Sequence, residues 1–503
     1  MNFIEEYKET LNNALQNGDL VAARQLVQGF HATRQPYDAE LCYLEAVLCY
    51  YEYRYPLALF WAEMGYQKAP DFTPIHELLG FLTTPMQDYS LYKPSNRFDC
   101  SLMNRPLRIV IFEGVQPIVD YNAEQFRINF EALGHTVMIF RADEFEKSTK
   151  ALLSFIKQGI DFCLLFNNVG TGLSLSDGRN AWEAMNIPCF NYLFDHPIYY
   201  FDTLDTIAPT CVVTCVDRNH VHYIKRFYPK VKHSFFFPLA GEEIPVSSPI
   251  PWEERSIDVL YVGSLKVYPK EQDAFDCKIT AYLCEHTDKT VEEAIEDCFR
   301  SLSEQDLAIL FPAFAGKISP EDADEATLKK VLQDYRFCDT NTNSIFRKNT
   351  VKQLVDAGIH VTVYGRDWLN TELSESPYFH FGGYISQADC LVKMQDSKIV
   401  LNSMPWFKDG THDRIYNAML AHAVCVTDSS KYLTEQYINS KDIVYYSLDE
   451  MEKLPVLVKE LLSNPDKAKQ IAENGYQKTV LNHTWQNRAM ELLNRVFHKN
   501  FDE

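Results

Sequence analysis

The sequence lacks the features that mark zinc proteins, disulfide-stabilised domains and membrane proteins. None of its 13 cysteines forms a C-x-x-C pair, and the closest two, Cys211 and Cys215, fall on a predicted buried strand. Scattered cysteines of this kind are typical of free thiols in a reducing compartment. The N-terminus shows no charged and then apolar signal pattern, and no apolar run approaches the length of a membrane span. We therefore expect a cytoplasmic protein without a transmembrane segment.

Positive charge is also scarce in this sequence. The 48 Lys and Arg residues are outnumbered by 69 Asp and Glu residues, which gives a net charge of −21 at pH 7. A surface of this charge is unsuited to nucleic acids and to anionic membranes. An anionic small molecule would need a local group of cations against that background. The composition, 46% hydrophobic and 23% charged, is that of an ordinary globular protein, and the length of 503 residues predicts two or three domains.

Residues 1–95 show a helical pattern. Ala46, Ala58 and Pro70 occupy positions 8, 20 and 32 of a tetratricopeptide-type repeat, in which small residues let paired helices approach and the proline stops the second helix. Two copies are fewer than such arrays usually need, so we expect these helices to pack against the next domain. The tyrosines between residues 43 and 55 allow three interpretations: a peptide-binding face, the core of the repeats, or a domain interface.

Strands and helices alternate from residue 104 to 245, which predicts a doubly wound parallel sheet. A linker at 241–256 leads to a second α/β domain at 256–482, which an acidic helical insertion interrupts at about 270–340. A terminal helix follows at 483–503. The predicted strands are 105–113, 136–140, 161–166, 189–194, 210–216 and 233–237 in the first domain, and 257–262, 361–364, 379–381, 399–401 and 424–427 in the second.

The fourth strand of the first domain leads into a candidate site. No G-x-G-x-x-G follows the first strand, which argues against a dinucleotide-dependent dehydrogenase. The fourth strand delivers Asp195-His196-Pro197 at its carboxyl end, where open α/β sheets place their ligands. An Asp and a His in a loop can also simply bond to local backbone N–H groups. The position at a strand end favours a role in chemistry.

A second candidate site lies between residues 398 and 428, where a strand, a polar loop, a helix and another strand follow one another. The loop ends in Gly410-Thr411-His412-Asp413-Arg414 at the predicted helix start. The N–H groups and the positive end of the helix dipole favour an anion at such a place. This segment is therefore the predicted anion site.

The residues from Arg414 to His422, RIYNAMLAH, resemble the site helix of GT-B glycosyltransferases of the group 1 or family-4-like type. The similarity is greatest to CgeB-like bacterial enzymes, whose helix carries the pattern R-[IV]-[FY]-E-A-L-A-x-G. The wider family has two glutamates eight residues apart, the first near the donor sugar and the second on the nucleotide ribose. Asp409 and Asn417 stand at those positions here. The resemblance thus implies that Asp409 acts at the sugar and that Asn417 binds the ribose.

The resemblance also implies a fold and further site residues. The fold would be two Rossmann-like domains facing a cleft, preceded by an all-α helical-repeat module. The loop after residue 262 would hold the donor diphosphate, and the turn at 382–385 would pass the nucleotide base, with Tyr384 stacked on it. His196 would contact a donor sugar hydroxyl, and Asp195 would orient the acceptor or act as a base. The predicted donor-binding residues are Gly263, Ser264, Lys266, Lys270, Tyr384, Ile385, Gly410, Thr411, His412, Arg414 and Asn417; the predicted catalytic residues are Asp195, His196 and Asp409.

The activity that the resemblance implies is transfer of a hexosyl or N-acetylhexosaminyl group from a nucleoside diphosphate sugar. A UDP-sugar is the favoured donor, and a protein or a polysaccharide is the acceptor. Retention of configuration is expected, without a metal ion or another cofactor, and the N-terminal repeats suggest a protein partner. Two alternatives stay open. One is a sugar-nucleotide epimerase of the same architecture, and the other is a non-catalytic scaffold whose repeats bind a partner.

Overall fold

The computed structural model describes residues 3–31, 33–35, 37–52, 54–83, 103, 105–244, 249–266, 272–498 and 501. Within these ranges no helix is long and apolar enough to cross a membrane. The described part of the chain contains an all-α region followed by two parallel sheets.

The all-α region packs as paired helices before the first sheet. Ala46 and Ala58 are fully buried where the third and fourth helices meet, as small residues at a close helix contact should be. The region docks on the first domain, where Trp61 Nε1 donates to the Ala132 carbonyl at 3.2 Å. The assignment to tetratricopeptide repeats stays a prediction. Its helices are α1 (Phe3–Gln16), α2 (Leu20–His31), α3 (Ala39–Tyr51), α4 (Tyr55–Lys68) and α5 (Thr73–Leu82).

The first domain is a parallel sheet with strand order β2-β1-β3-β4-β5-β6 among the described residues. Its three central strands, β3 to β5, are buried along their whole length, as expected where helices cover both faces of a parallel sheet. The strands are β1 (Arg108–Glu113), β2 (Thr136–Arg141), β3 (Phe162–Phe166), β4 (Cys189–Leu193), β5 (Cys211–Cys215) and β6 (His233–Phe236). The helices are α6 (Pro117–Ala132), α7 (Phe145–Phe155), α8 (Ala181–Met185), α9 (Phe201–Leu204) and α10 (Arg218–Phe227).

The acidic insertion is helical, with α11 (Ala274–Glu285), α12 (Val291–Arg300), α13 (Glu304–Leu310) and α14 (Glu325–Asp334). Although it interrupts the sequence of the second domain, it packs on the first. Its apolar side chains form one continuous core cluster with residues of the first domain, including Tyr223 and Phe227 of α10. Arg226 of α10 also bridges Glu296 and Glu325 of the insertion, both at 2.8 Å. The insertion therefore ties the two domains together.

The second domain repeats the parallel architecture, with strand order β12-β11-β10-β7-β8-β9 in the described residues. The three-residue strand β12 was not predicted. The strands are β7 (Ile257–Val262), β8 (Val361–Tyr364), β9 (Phe379–Gly383), β10 (Ser397–Leu401), β11 (Val424–Asp428) and β12 (Val444–Tyr446). The helices are α15 (Cys338–Asp356), α16 (Gln387–Gln395), α17 (Asp413–Leu420), α18 (Lys431–Gln436), α19 (Leu454–Ser463), α20 (Pro465–Asn482) and α21 (Trp485–His498).

The chain returns to the first domain at its end. Helix α21 packs against α6, and the buried Arg488 donates from Nε to the Pro238 carbonyl at 2.8 Å. The linker strand at Gly241 pairs with Thr484 beside it. The predicted fold class is confirmed: two Rossmann-like domains face one another in the GT-B arrangement, with an all-α region before them.

Candidate active site

Two connected cavities lie between the carboxyl ends of the two sheets. The inner cavity has a volume of about 220 Å³ and the outer cavity about 720 Å³. They share Asp195 and Tyr199 from the first domain and Lys266 from the second. This is the crevice in which open α/β sheets bind ligands.

Two buried arginines without an acidic partner among the described residues lie at the inner cavity, one on its wall and one directly behind it. Arg347 of α15 is 6% exposed and Arg414 of α17 is 8% exposed. Arg347 donates to the Ser264 carbonyl at 2.6 Å, and its Nε has no hydrogen-bond partner among the described residues. Arg414 donates to the Val262 carbonyl at 2.6 Å. Within the described ranges neither guanidinium forms a salt bridge to a carboxylate, and Arg347, which lines the cavity, keeps its charge available to an anion.

The pKa of Arg347 shows that its positive charge is only weakly compensated by its surroundings. Burial, together with the charge of Arg414, lowers the pKa of Arg347 to about 10. Lys266 adds a second cation on the cavity wall, and its backbone is fixed to α15 by Ser344, whose hydroxyl accepts from the Lys266 N–H at 2.8 Å. Buried charges without partners are costly and are normally kept for a ligand or a reaction.

The start of α17 borders the inner cavity with charges of both signs, because the carboxylate of Asp413 stands at the positive end of the helix dipole. His412 immediately precedes the helix, and its Nε2 lies 3.1 Å from Arg414 Nη2. Because a guanidinium can only donate, Nε2 of His412 is the acceptor and Nδ1 carries the proton toward the carboxylate of Asp413. Burial and the neighbouring Arg414 lower the pKa of His412, so the ring is neutral. The helix N-terminus thus faces the cavity with its partial positive charge.

The outer cavity is lined by aromatic side chains. Tyr199, Tyr200 and Phe337 line it together with Tyr384, which is 69% exposed. The guanidinium of Arg366 lies 5.2 Å from the Tyr384 ring centre. Flat, partly exposed rings of this kind suit a planar base.

Asp195 and His196 lie on the first-domain wall of the cleft, but they differ in exposure and in hydrogen bonding. Asp195 is exposed, and its carboxylate accepts from the Tyr200 hydroxyl at 3.2 Å. His196 is buried, and its Nδ1 accepts from the Ile198 N–H at 3.0 Å. Its Nε2–H is therefore the donor to Glu292 of the insertion, also at 3.0 Å. Both ring nitrogens are engaged, so contact with a sugar hydroxyl would require His196 to release Glu292.

Several predicted residues lie apart from the two cavities. The Asp409 carboxylate pairs with Arg218 of the first domain at 3.1 Å, and its N–H donates to Asp217. Gly410 forms a strand bridge with Asp217. Asn417 accepts from the backbone N–H of Glu242 in the linker at 2.9 Å. These contacts turn the loop before α17 toward the first domain.

The remaining predicted positions divide into two groups. Ser264, Lys266, Tyr384 and His412 line one cavity or both, and Arg414 lies directly behind the wall. Gly263, Ile385 and Thr411 do not line either cavity, and Lys270 is outside the described residues.

Arg347, Asp339 and Glu292 were not predicted from the sequence. The sequence pattern could have indicated a buried Arg347, because this residue falls on the buried face of α15 at helical spacing from Asn343, Thr350 and Leu354. A charged residue at such a position needs a partner, and none is nearby in the sequence. Glu292 gave no signal, because its contact with His196 spans 96 residues.

The Asp-x-Asp triplet that often marks metal-dependent sugar transfer occurs once in the sequence, at Asp322-Ala323-Asp324. It lies in the insertion, where Asp324 caps α14 by accepting from the Thr327 N–H. Neither aspartate lines the cavities. Among the described residues, no group of three or more His, Cys, Asp or Glu side chains is arranged to hold a metal ion.

The domain contact at Asp217 predicts a pH dependence of stability. Burial raises the pKa of Asp217 from 3.8 to about 7, and burial likewise raises that of Asp428 to about 6. A carboxyl with a raised folded-state pKa favours folding when protonated, and that contribution is lost as pH rises through the folded pKa. We expect the free energy of unfolding to fall between pH 5.5 and 8 by about 2 kcal/mol for Asp217 and by about 0.8 kcal/mol for Asp428. Urea titrations at both pH values test this, and Asp217→Asn should flatten the dependence.

Two parallel sheets that face one another across a cleft form the GT-B architecture. Residues 347–494 of this chain match the sequence profile of a family described as glycosyl transferase-like. A search of curated proteins gives no match.

Similar solved structures include a glycosyltransferase from Rickettsia africae, with 11% identity, a TM-score of 0.43, and coverage of 79% of this chain and 100% of that chain. Sucrose-phosphate synthase from Thermosynechococcus elongatus has 11% identity and a TM-score of 0.46, with coverage of 78% and 99%. HepE of Anabaena in complex with UDP and glucose has 9% identity and a TM-score of 0.43, with coverage of 77% and 98%.

Proposed function

We propose that this chain is a glycosyltransferase that takes a sugar from a nucleoside diphosphate sugar, with a UDP-sugar as the favoured donor. The observation that carries the proposal is a pair of buried arginines that have no acidic partner among the described residues: Arg347 lines the inner cavity together with Lys266, and Arg414 lies directly behind the wall. On a chain with a net charge of −21, such a group of cations is a site for an anion. The match of residues 347–494 to the glycosyl transferase-like profile supports the same activity.

The shapes of the two cavities support a division of the donor between them. The inner cavity, at about 220 Å³, is smaller than a whole small-molecule site, whereas the outer one, at about 720 Å³, lies within the usual range. The diphosphate and sugar would occupy the inner cavity beside Lys266 and Arg347, and the nucleoside the aromatic outer cavity near Tyr384. Asp195, at the junction of the two, would face the acceptor.

The proposed sugar transfer depends on stabilising the negative charge that develops during the reaction. Breaking the bond between sugar and diphosphate builds negative charge on the leaving phosphate, and fixed donors aimed at it stabilise the transition state more than the ground state. Arg347, Arg414 and Lys266 would supply these donors, with the start of α17 behind them. These cations of the chain support the proposal that transfer needs no metal ion. Retention of configuration and a hexosyl or N-acetylhexosaminyl donor are further proposals, which proton NMR of the product would test.

The acceptor and the location follow from the same proposal. A protein or polysaccharide would approach from the first-domain side, and the all-α region would contribute to binding a protein. We further propose that the protein works in the cytoplasm, where nucleotide sugars are available.

Calorimetric titration with UDP, GDP, ADP and CMP tests the donor site. We expect UDP to bind, and at about 100 times its dissociation constant to stabilise the fold by roughly 2.7 kcal/mol. Lys266→Met should weaken this binding about 10-fold, while the exposed neighbour variant Lys348→Met should not. Absence of binding by every nucleotide would contradict the proposal.

A second candidate is a sugar-nucleotide-binding scaffold without transfer. The observation in its favour is that Asp409 and Asn417 are engaged with Arg218 and the linker rather than with the cavities. Release of UDP from a UDP-sugar in the presence of an acceptor distinguishes the two. Binding without any UDP release would favour the scaffold.

A further inference from the structure

The helical insertion borders the inner cavity with Val291 and also contacts the loop of the first domain that follows β4. This loop, residues 195–204 with the short helix α9 at its end, follows β4 and carries Asp195. Three contacts from the insertion and the start of α15 hold it. Glu292 accepts from His196 at 3.0 Å, and Asp339 accepts from the Tyr199 hydroxyl. Arg336 lies over Phe201 with its guanidinium 5.3 Å from the ring centre.

The hydrogen bond between Glu292 and His196 holds the His196 ring in one orientation. His196 is buried, and its other nitrogen caps the turn after it by accepting from the Ile198 N–H. The Glu292 carboxylate thus fixes both the tautomer and the orientation of the ring, and through the ring the backbone of the turn. Since Asp195 immediately precedes His196, the position of its carboxylate depends on this contact.

Asp339 connects the same loop to the phosphate-binding group. It lies on α15, eight residues before Arg347, so the two side chains are separated by about 12 Å of rigid helix. Burial raises the pKa of Asp339, and the Tyr199 hydroxyl donates to its carboxylate. Helix α15 therefore carries Arg347 at the inner cavity and, two turns earlier, the residue that holds the first-domain loop.

We propose that Glu292 and Asp339 are positioning residues that fix the Asp195 loop relative to the donor phosphates. This inference rests on the proposed transferase function. The insertion would set the distance between the acceptor held by the first domain and the donor held by Arg347 and Arg414. A displacement of about 1 Å between reacting groups lowers a rate about 100-fold, so a loose loop would be costly.

The test compares two substitutions at one position. Glu292→Leu removes the acceptor for His196, whereas Glu292→Gln keeps an oxygen that can accept the same proton. We expect Glu292→Leu to lower kcat for transfer 10- to 100-fold with the UDP dissociation constant within 3-fold of wild type. Glu292→Gln should restore kcat to within about 3-fold. Arg226→Gln, which removes two ion pairs between the insertion and the first domain away from the cleft, is the matched control and should leave kcat unchanged.

Hydrogen exchange provides a readout that needs no acceptor. In Glu292→Leu we expect faster amide exchange confined to residues 195–204, with β3 and β4 protected as in wild type. Faster exchange across the whole first domain would indicate a merely structural role and overturn the proposal. Unchanged kcat in Glu292→Leu would also overturn it, with or without a change in exchange. If the wild-type protein binds no nucleotide, the proposed function itself fails, which these variants do not decide.

Discussion

Arg347→Met is expected to raise the dissociation constant for UDP at least 100-fold while leaving the unliganded protein as stable as the wild type. Arg347 is buried without an acidic partner, and burial with the charge of Arg414 lowers its pKa to about 10. A phosphate would receive hydrogen bonds from this charge, each worth roughly 1.5–3 kcal/mol. Removing the guanidinium loses those bonds but also removes a desolvated charge from the unliganded fold. Calorimetric titration and urea unfolding measure the two quantities separately.

The control for this prediction is the next residue on the same helix. Lys348 points outward toward Glu372, at 3.5 Å, so Lys348→Met removes a positive charge without touching the cavity. It should leave UDP binding within about 2-fold of wild type. If Arg347→Met binds UDP normally, or if it loses more than about 3 kcal/mol of stability, Arg347 is a structural residue and the phosphate site lies elsewhere.

Gly410→Ala is expected to lower the free energy of unfolding by about 2–3 kcal/mol, as overpacking of a tight contact does. A Cβ atom at Gly410 would lie 2.3 Å from the Val216 carbonyl oxygen and 2.8 Å from the Asp217 Cα. Both are backbone atoms of the opposite domain, so the clash cannot be relieved by turning a side chain. The domains would separate at the Asp409–Arg218 contact, and transfer should slow.

Gly172→Ala is the matched control for this substitution. Gly172 lies in a loop of the first domain, and nothing lies within 4 Å of a Cβ built there. The Gly172→Ala variant should have the same free energy of unfolding as the wild type. Small-angle scattering should show an increased radius of gyration for Gly410→Ala alone. Equal stability and equal dimensions for both variants would mean that the domains do not hold this contact in solution.

The sequence was most informative where structure is local. The apolar runs of β7 and β8 gave the bounds that the structure has, and the loop before α17 was correctly placed at a helix start. The three residues of β12 were too few to show a pattern of their own.

Contacts between distant parts of the chain could not be predicted in this way. Asp409 faces Arg218 across 191 residues, so the alignment of Asp409 with a family glutamate gave no sign that its carboxylate is turned toward the first domain. The packing of the insertion on the first domain likewise joins parts of the chain that are far apart in the sequence. Hydrophobic periodicity shows which face of a helix is buried, but not against which partner.

During synthesis, the first domain cannot complete its hydrophobic core when only strands β1 to β6 have been made, because part of that core comes from the later insertion. Its last strand, β6, ends at Phe236, whereas the insertion that covers part of its apolar surface ends with α14 at Asp334. At 5–20 residues per second, roughly 100 further residues take about 5–20 s to synthesise. Helix α21, which packs on α6, arrives last of all. The nascent first domain therefore spends this interval with apolar surface uncovered, and soluble production of the protein depends on synthesis continuing through α21.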